Sequence, residues 1–451
     1  MKKLNATPSG NAPTAARVCA LTVIRRVFED GAWADRAFHG EAGRLELDPR
    51  ERALATRLAY GAVQRRATLD HLIETFAGRP TDRLEPIVRA ALRLGLYQLA
   101  YLDRVPAHAA VTESVELVKP VSPGGAKLVN AVLRRGAREA AAAVAALPEA
   151  TPAEAALRHS HPEWIAALWF DALGPDAARA LMAADNEPAE AALRANTLRG
   201  DAAALAAELP VATHPATDLP EGLVLDAPFD AFDSPLWHAG RFMPQSRAAM
   251  AVARVVGPRP GERVLDLCAA PGGKTTHLAA LMEDTGAVVA VERHPGRAEA
   301  LRRTAGRMGA SCVTVRTADA SAPQDGEFDR VLVDPPCSDL GTLASRPDAR
   351  WRKDADTPGR LARTQAAILA AAAAAVRPGG TLVYSTCTIS PAENEDVVRA
   401  FLAGRRDFTA DDLRDDVPLW DHGGVPGFLQ TLPHRDGTEG FFIARLRREP
   451  A

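Results

Sequence analysis

Two cysteines in separate segments are the residues best suited to covalent chemistry. Cys337 closes the run Asp334-Pro335-Pro336-Cys337, and Cys387 lies within YSTCTISPAENEDVV. A thiolate is a strong nucleophile that can add to an electron-poor ring carbon. A lone cysteine at the end of a strand is most often a small buried hydrophobe. Here two of them end the apolar runs FDRVLVDPPC and GGTLVYSTCT, and they would face one pocket if those runs are neighbouring strands.

What such a pocket holds is indicated by Arg263 to Met282, RVLDLCAAPGGKTTHLAALM. An apolar strand, a Gly-rich turn and a helix start follow one another, which aims backbone N–H groups and the positive end of a helix dipole at a charged ligand. A phosphate-binding P-loop would need a glycine where Cys268 stands, although Gly273-Lys274-Thr275 fits its end. The dinucleotide pattern Gly-x-Gly-x-x-Gly is absent from CAAPGGK. The remaining candidate is the donor turn of doubly wound methyltransferases, in which an acid on the next strand takes the ribose hydroxyls. Glu292 ends AVVAVE, 26 residues after Asp266, close to the ~20-residue offset of such an acid.

Thiols beside a methyl donor have a chemical rationale. Oxygen and amino-nitrogen acceptors have lone pairs and need no covalent help, whereas C5 of cytosine is too weak a nucleophile to take a sulfonium methyl group. A thiolate adding to C6 turns C5 into an enamine carbon that can attack. The C5 proton then leaves and the thiol is eliminated. Amino-methylating enzymes place an aromatic residue after Asp/Asn-Pro-Pro, and position 337 is Cys. By chemistry alone either thiol could be the nucleophile.

These groups need a scaffold that delivers them to one edge. From Gln245 onward a helix, QSRAAMAVARVVG, leads into strand–helix units whose strands are RVLDL, AVVAVE, SCVTVRTAD, FDRVLVDPPC and GGTLVYSTCT. This is the pattern of an α/β, doubly wound, Rossmann-like domain, expected over 241–451. The strands' carboxyl ends carry Cys268, Glu292, Asp319, Asp334 and Cys387, and open α/β sheets bind ligands at that edge. Residues 139–240 read as an Ala/Pro-rich connector and a small α/β subdomain, with AALRANTL and GLVLDA as strands and Trp164 and Trp169 as core residues.

Residues 14–138 form an all-α segment by pattern, with five or six helices. Thr81 or Asp82 is placed to cap the third of them. Residues 1–138 hold 22 Lys and Arg against 14 Asp and Glu, although the whole chain of 451 residues has a formal charge of −3. An arginine-rich segment of this kind suits a phosphate backbone. His39, His71 and His108 lack ligand spacing. Five scattered cysteines without Cys-x-x-Cys argue against disulfides and structural zinc. MKK is followed by polar residues, and no run approaches the ~18 apolar residues of a membrane span. The expectation is a cytoplasmic protein with no membrane association, no metal and no stable protein partner.

LAYGAVQRRATLDHLI, LRLGLYQLAYLDRVPAHAAVTESVELVK and LVNAVLRR resemble the NusB-type domain that some bacterial RNA methyltransferases carry at their N-terminus. LDLCAAPGGKTTHLA, DPPCS, PDARWRK and YSTCTISPAENEDVV resemble the Sun-type (Fmu-like) family of RNA cytosine-C5 methyltransferases, and together the likeness spans nearly the whole chain. The resemblance implies transfer from S-adenosylmethionine to a cytosine of small-subunit (16S) rRNA. It makes Cys387 the nucleophile and gives Cys337 the breakdown of the covalent adduct. It implies that Cys268, Ala269, Ala270, Pro271, Gly272, Gly273 and Lys274 wrap the donor, that Glu292 holds the ribose, that Asp319 approaches the adenine, and that Asp334 sits between donor and base, with Lys274 a second group for the base. It also gives the subdomain within residues 139–240, where Arg194-Ala195-Asn196 matches an Arg-x-Asn stretch, a part in holding RNA. The departures are Ser246 and Glu292 where Asp is common, and Pro335 where Ala is frequent. Two other classes remain open on the residues alone, a P-loop-like ATPase and a non-catalytic RNA-binding assembly factor.

Overall fold

The apolar periods of the N-terminal part become helices. In the computed structural model, which describes residues 12–413, 420 and 427–451, ten helices run in order: α1 (Ala15–Glu29), α2 (Ala34–Arg44), α3 (Pro49–Gln64), α4 (Arg66–Ala77), α5 (Pro86–Tyr101), α6 (Ala107–Val118), α7 (Pro123–Ala145), α8 (Pro152–His159), α9 (Glu163–Leu173) and α10 (Pro175–Ala184). They belong to one compact unit, which extends to Glu187. Leu58, Leu69, Leu92, Leu94 and Leu133 lie in its core. A fully buried leucine contributes about 1.5–3 kcal/mol.

Several local expectations are corrected. The run from Glu51 to Phe76 is two helices, because the chain breaks at Arg65, where ψ turns positive. The helix α2 has few large apolar residues, so the pattern missed it. Thr81 and Asp82 fall in a short 3-10 turn, and α5 starts after Glu85 with Pro86 in its first turn. The Ala/Pro-rich connector is partly helical: α7 continues to Ala145, and Thr151 and Glu154 form a reciprocal capping box for α8. Trp169 is fully buried, whereas Trp164 is half-buried.

The second unit comprises Pro188–Thr342 and Lys353–Ala451. It opens with β1 (Ala192–Ala195), α11 (Ala202–Glu208), β2 (Thr213–Pro215), β3 (Gly222–Leu225), α12 (Pro235–His238) and β4 (Phe242–Pro244). The four strands make a small antiparallel sheet in the order β2-β3-β1-β4. There follow α13 (Arg247–Val256), β5 (Arg263–Leu267), α14 (Gly273–Leu281), β6 (Ala287–Glu292), α15 (Pro295–Met308), β7 (Val313–Thr317) and β8 (Phe328–Val333). The chain ends with α16 (Thr357–Ala375), β9 (Val376–Thr386), α17 (Glu395–Gly404), β10 (Phe408–Ala410), β11 (Phe428–Gln430), α18 (Pro433–Asp436) and β12 (Phe442–Arg448).

The five expected strands all form and pair in parallel in the order β9-β8-β5-β6-β7. The apolar residues of β5, β6 and β8 suit a sheet buried on both faces, whereas the edge strand β7 alternates polar residues and is partly exposed. Beyond β9 the sheet continues with antiparallel β12, which carries β10 and β11. The strand order reverses between β5 and β8, so the crevice at their carboxyl ends is the place where such a sheet binds ligands. No helix among the described residues is long and apolar enough to cross a membrane.

Between the two parts of the second unit, Leu343–Arg352 belongs to the helical unit. Arg350 is fully buried there and donates to Ser160 O at 3.2 Å, Asn186 Oδ1 at 2.9 Å and Asp185 O at 3.0 Å. Trp351 Nε1 donates to Val63 O at 2.8 Å, and the Arg66 guanidinium lies 5.2 Å from its ring centre. Burial pushes Asp185 up to about 7, and the Arg350 charge opposes that rise. Truncating Arg350 strands several buried acceptors at once. We expect Arg350→Ala to cost about 3 kcal/mol or more of unfolding free energy, measured by urea denaturation against the parent chain.

Candidate active site

The loops after β8 and β9 bring the two cysteines together. Cys337 Sγ and Cys387 Sγ are 3.3 Å apart, and all five of the chain's cysteines are free thiols. The residues that follow the cysteines fix this spacing. Ser338 Oγ and Thr388 Oγ1 lie 2.6 Å apart, and Glu393 accepts from the Ser338 N–H at 2.9 Å and from its hydroxyl. Gln365 Nε2, from α16, donates to the same carboxylate at 3.0 Å. Burial raises the Glu393 carboxyl above the usual range, and the Ser338 and Gln365 hydrogen bonds oppose that rise. Tyr384 and Thr386 of β9 hold this loop, Tyr384 OH donating to Glu393 O at 2.6 Å and Thr386 Oγ1 to Asn394 Oδ1 at 2.5 Å, while Asn394 Nδ2 donates to Thr388 O within the loop at 3.0 Å.

Two cation–carboxylate pairs flank the thiols. Lys274 Nζ is 2.8 Å from Asp334 Oδ2, and Ser385 donates to Asp334 Oδ1 at 3.2 Å. Burial lowers the Lys274 pKa, but the charge and hydrogen bond of Asp334, with the nearby Cys387 and Asp266, together outweigh it and the net direction is up. On the other side Lys353 Nζ binds Asp339 Oδ2 at 2.5 Å and Ser338 O at 2.6 Å. Asp339 Oδ1 is 3.4 Å from Cys387 Sγ and 3.8 Å from Cys337 Sγ. Neither Asp339 nor Lys353 was singled out from the sequence. Cys337, Asp339 and Cys387 place three possible metal-ligand atoms within 4.8 Å of one another, but the Lys353 ammonium already supplies the neighbouring positive charge.

The Gly-rich turn sits between β5 and α14. Cys268 has φ 64° and Gly272 φ 104°, and a Cβ on Gly272 would come within 2.5 Å of Leu301 Cδ1, so the turn needs glycine there. Ala269 and Ala270 are buried, Pro271 is exposed, and Gly273 and Lys274 open α14, whose first turn no side chain caps. Uncapped N–H groups at a helix start suit an anionic ligand group. Burial pushes the Cys268 thiol up to about 12, with Asp334, Asp266 and Glu292 adding to the rise. Glu292 is buried at the end of β6 and accepts from the His294 N–H at 2.9 Å. Asp319 stands apart: it is exposed after β7 and accepts from Ser321 N at 2.9 Å and Ser321 Oγ at 2.7 Å.

Arg194 and Asn196 hold the small subdomain to the Rossmann-like part from within. Both are buried. Arg194 donates to Gln245 Oε1 at 2.8 Å, Gly273 O at 2.5 Å and Thr276 Oγ1 at 2.9 Å, and Asn196 Nδ2 donates to Gly240 O and Met308 O. Arg194 braces the start of α14, and Asn196 ties the turn before β4 to the end of α15.

Comparison with known proteins identifies the family. A family model described as 16S rRNA methyltransferase RsmB/F matches residues 253–447, the NusB family matches 14–138, and an RsmF/B-like ferredoxin-like domain matches 161–231. A probable ribosomal RNA small subunit methyltransferase B of Synechocystis is 38% identical over 96% of this chain and 99% of its own length. The chain belongs to the RsmB/F methyltransferase family. A probable counterpart in Bacillus subtilis is 35% identical over 97% of this chain and 99% of its own. The crystal structure of PH0851 superposes with a TM-score of 0.82 at 27% identity, covering 99% of this chain and 100% of that one. Lys274 is engaged with Asp334 at 2.8 Å, whereas a P-loop lysine is kept for phosphates.

Beneath the turn, Asp266 accepts from Thr275 Oγ1 at 2.6 Å. Burial pushes its carboxyl up to about 7, against the Thr275 hydrogen bond. A carboxyl whose pKa is raised by folding gives its full stability below the unfolded value near 3.9 and loses it as pH rises through about 7. Asp266→Asn keeps an acceptor for Thr275 without the charge. We therefore expect its urea midpoint to gain on the parent's between pH 5 and pH 8; parallel pH dependences would contradict the assignment.

Proposed function

We propose that the protein transfers a methyl group from S-adenosylmethionine to C5 of a cytosine in small-subunit (16S) rRNA, through a covalent bond between Cys387 and C6. The observation that carries the reading is the 3.3 Å separation of two thiols at the carboxyl edge of a doubly wound sheet, beside a Gly-rich turn fit for a methyl donor. Membership of the RsmB/F family and the names of the curated relatives support rRNA as substrate.

The residues present fit the donor. The turn from Cys268 to Gly273 and the uncapped start of α14 suit an amino-acid carboxylate, and Glu292 at the end of β6 suits a ribose diol. Asp319, at the exposed end of β7, is assigned to the adenine. When bound, the donor supplies an electrophilic methyl group. Cys387 forms the bond to C6, Asp334 and Lys274 orient the base and meet the charge that develops on it, and Cys337 helps the adduct collapse. In this assignment residues 14–138 contact RNA, 139–240 form the connecting subdomain, and 241–451 carry catalysis.

Separate replacement of the thiols tests the assignment on an rRNA fragment. Cys387→Ala should lose methyl transfer by more than about a thousandfold and leave no trapped RNA adduct. Cys337→Ala should accumulate adduct that fails to resolve. The reverse pattern would exchange the two roles. Bisulfite mapping of rRNA from cells with and without the gene reads the target directly, and an unchanged map would refute the substrate.

A further inference from the structure

The thiol pair has a third member. Asp339 lies two residues past Cys337 with φ 57°, a backbone conformation that disfavours most side chains, although Asp tolerates it better than others. This position nevertheless carries a carboxylate. One oxygen, Oδ2, is held by Lys353 Nζ at 2.5 Å, and the other, Oδ1, faces the sulfurs, 3.4 Å from Cys387 Sγ and 3.8 Å from Cys337 Sγ. Lys353 is itself fixed by the Cys337 and Ser338 carbonyls at 3.3 Å and 2.6 Å. The carboxylate is thus aimed at the reacting atom and has little freedom to turn away.

We propose that Asp339 is a catalytic residue, the general base that takes the Cys387 thiol proton as the sulfur attacks and returns it when the sulfur leaves. The inference rests on Cys387 being the nucleophile. In the forward step the S–H bond breaks, its proton goes to Asp339 Oδ1, the S–C6 bond forms, and the C5=C6 π pair moves to C5. That pair then forms the C5–methyl bond as the donor's S–methyl bond breaks. Loss of the C5 proton to water re-forms C5=C6 and expels the Cys387 thiolate, which recovers its proton from Asp339. The carboxylate ends as it began, with one proton released to solvent. A nucleophile activated by an adjacent, oriented base is the general form of this arrangement, and the fixed Lys353 contact serves as the orienting third group.

Two variants separate a base from a brace. Asp339→Asn keeps an oxygen that can accept from Lys353 but cannot take a proton, and Asp339→Gly suits the left-handed backbone and relieves it. Each should fold with an unchanged Tm and slow single-turnover methylation of an rRNA fragment by about 100-fold at pH 7. The deficit should shrink above about pH 8.5, where a thiol ionises without help. Wild-type rates in both variants from pH 6 to pH 9, or a loss that stays constant across that range, would overturn the proposal. Cys387→Ala is assayed in parallel: if it still transfers methyl, the nucleophile assignment fails, whereas an inactive Cys387→Ala beside fully active Asp339 variants refutes only the base.

Discussion

Two sulfur atoms rest 3.3 Å apart because the residues behind them share one buried carboxylate. Glu393 receives the Ser338 N–H, the Ser338 hydroxyl and the Gln365 amide, and Ser338 in turn meets Thr388. The loop after β8, the loop after β9 and the helix α16 are therefore bound at a single point with no exposure to solvent. A buried carboxylate is tolerated only when its oxygens are satisfied, so the network constrains itself. Loss of Glu393 leaves the Ser338 N–H and the Gln365 amide without this acceptor in a buried region. The thiols inherit their positions from polar contacts that do no chemistry themselves.

The sheet supplies the second constraint. Parallel pairing of β5 with both β6 and β8 sets Cys268, Glu292 and Asp334 on one edge. The close approach of Gly341 and Gly440 adds a local lock: Gly440 N donates to Gly341 O at 2.7 Å, and a Cβ on Gly341 would fall 1.9 Å from the Gly440 carbonyl oxygen. This seats the loop carrying Cys337 against the chain that leads into β12. Gly341 N also donates to Cys387 O at 3.0 Å, so the same glycine ties the two cysteine loops together.

The parts of this arrangement that were legible in the sequence are those written in contiguous residues. Most of the parallel strands contain a short apolar run, and the Gly-rich turn and both cysteines appear as short motifs at the strand ends. The basic helices show their three- and four-residue spacing, except α2, where Ala and Gly replace the larger apolar residues. What could not be read depends on pairs that are distant in sequence. Asp339 and Lys353 are separated by an excursion into the other unit, and nothing local marks either as reactive. Glu393 looks like one acid among several in SPAENEDVV until Ser338 is placed beside it. Arg194 has the composition of a surface arginine, and only the small sheet's position under α14 buries it.

Leu343–Arg352 gives the chain a topology that simple domain arithmetic misses. The polypeptide passes between its two units three times, after Glu187, after Thr342 and after Arg352. A fragment cut at the first passage would retain both thiols yet carry a ten-residue stretch with Trp351 and a desolvated guanidinium deprived of their surroundings. The catalytic part is consequently not a detachable module: evolution or engineering that exchanges the helical unit must also rewrite a stretch embedded in the middle of the enzyme half, between the first thiol and the lysine that follows it.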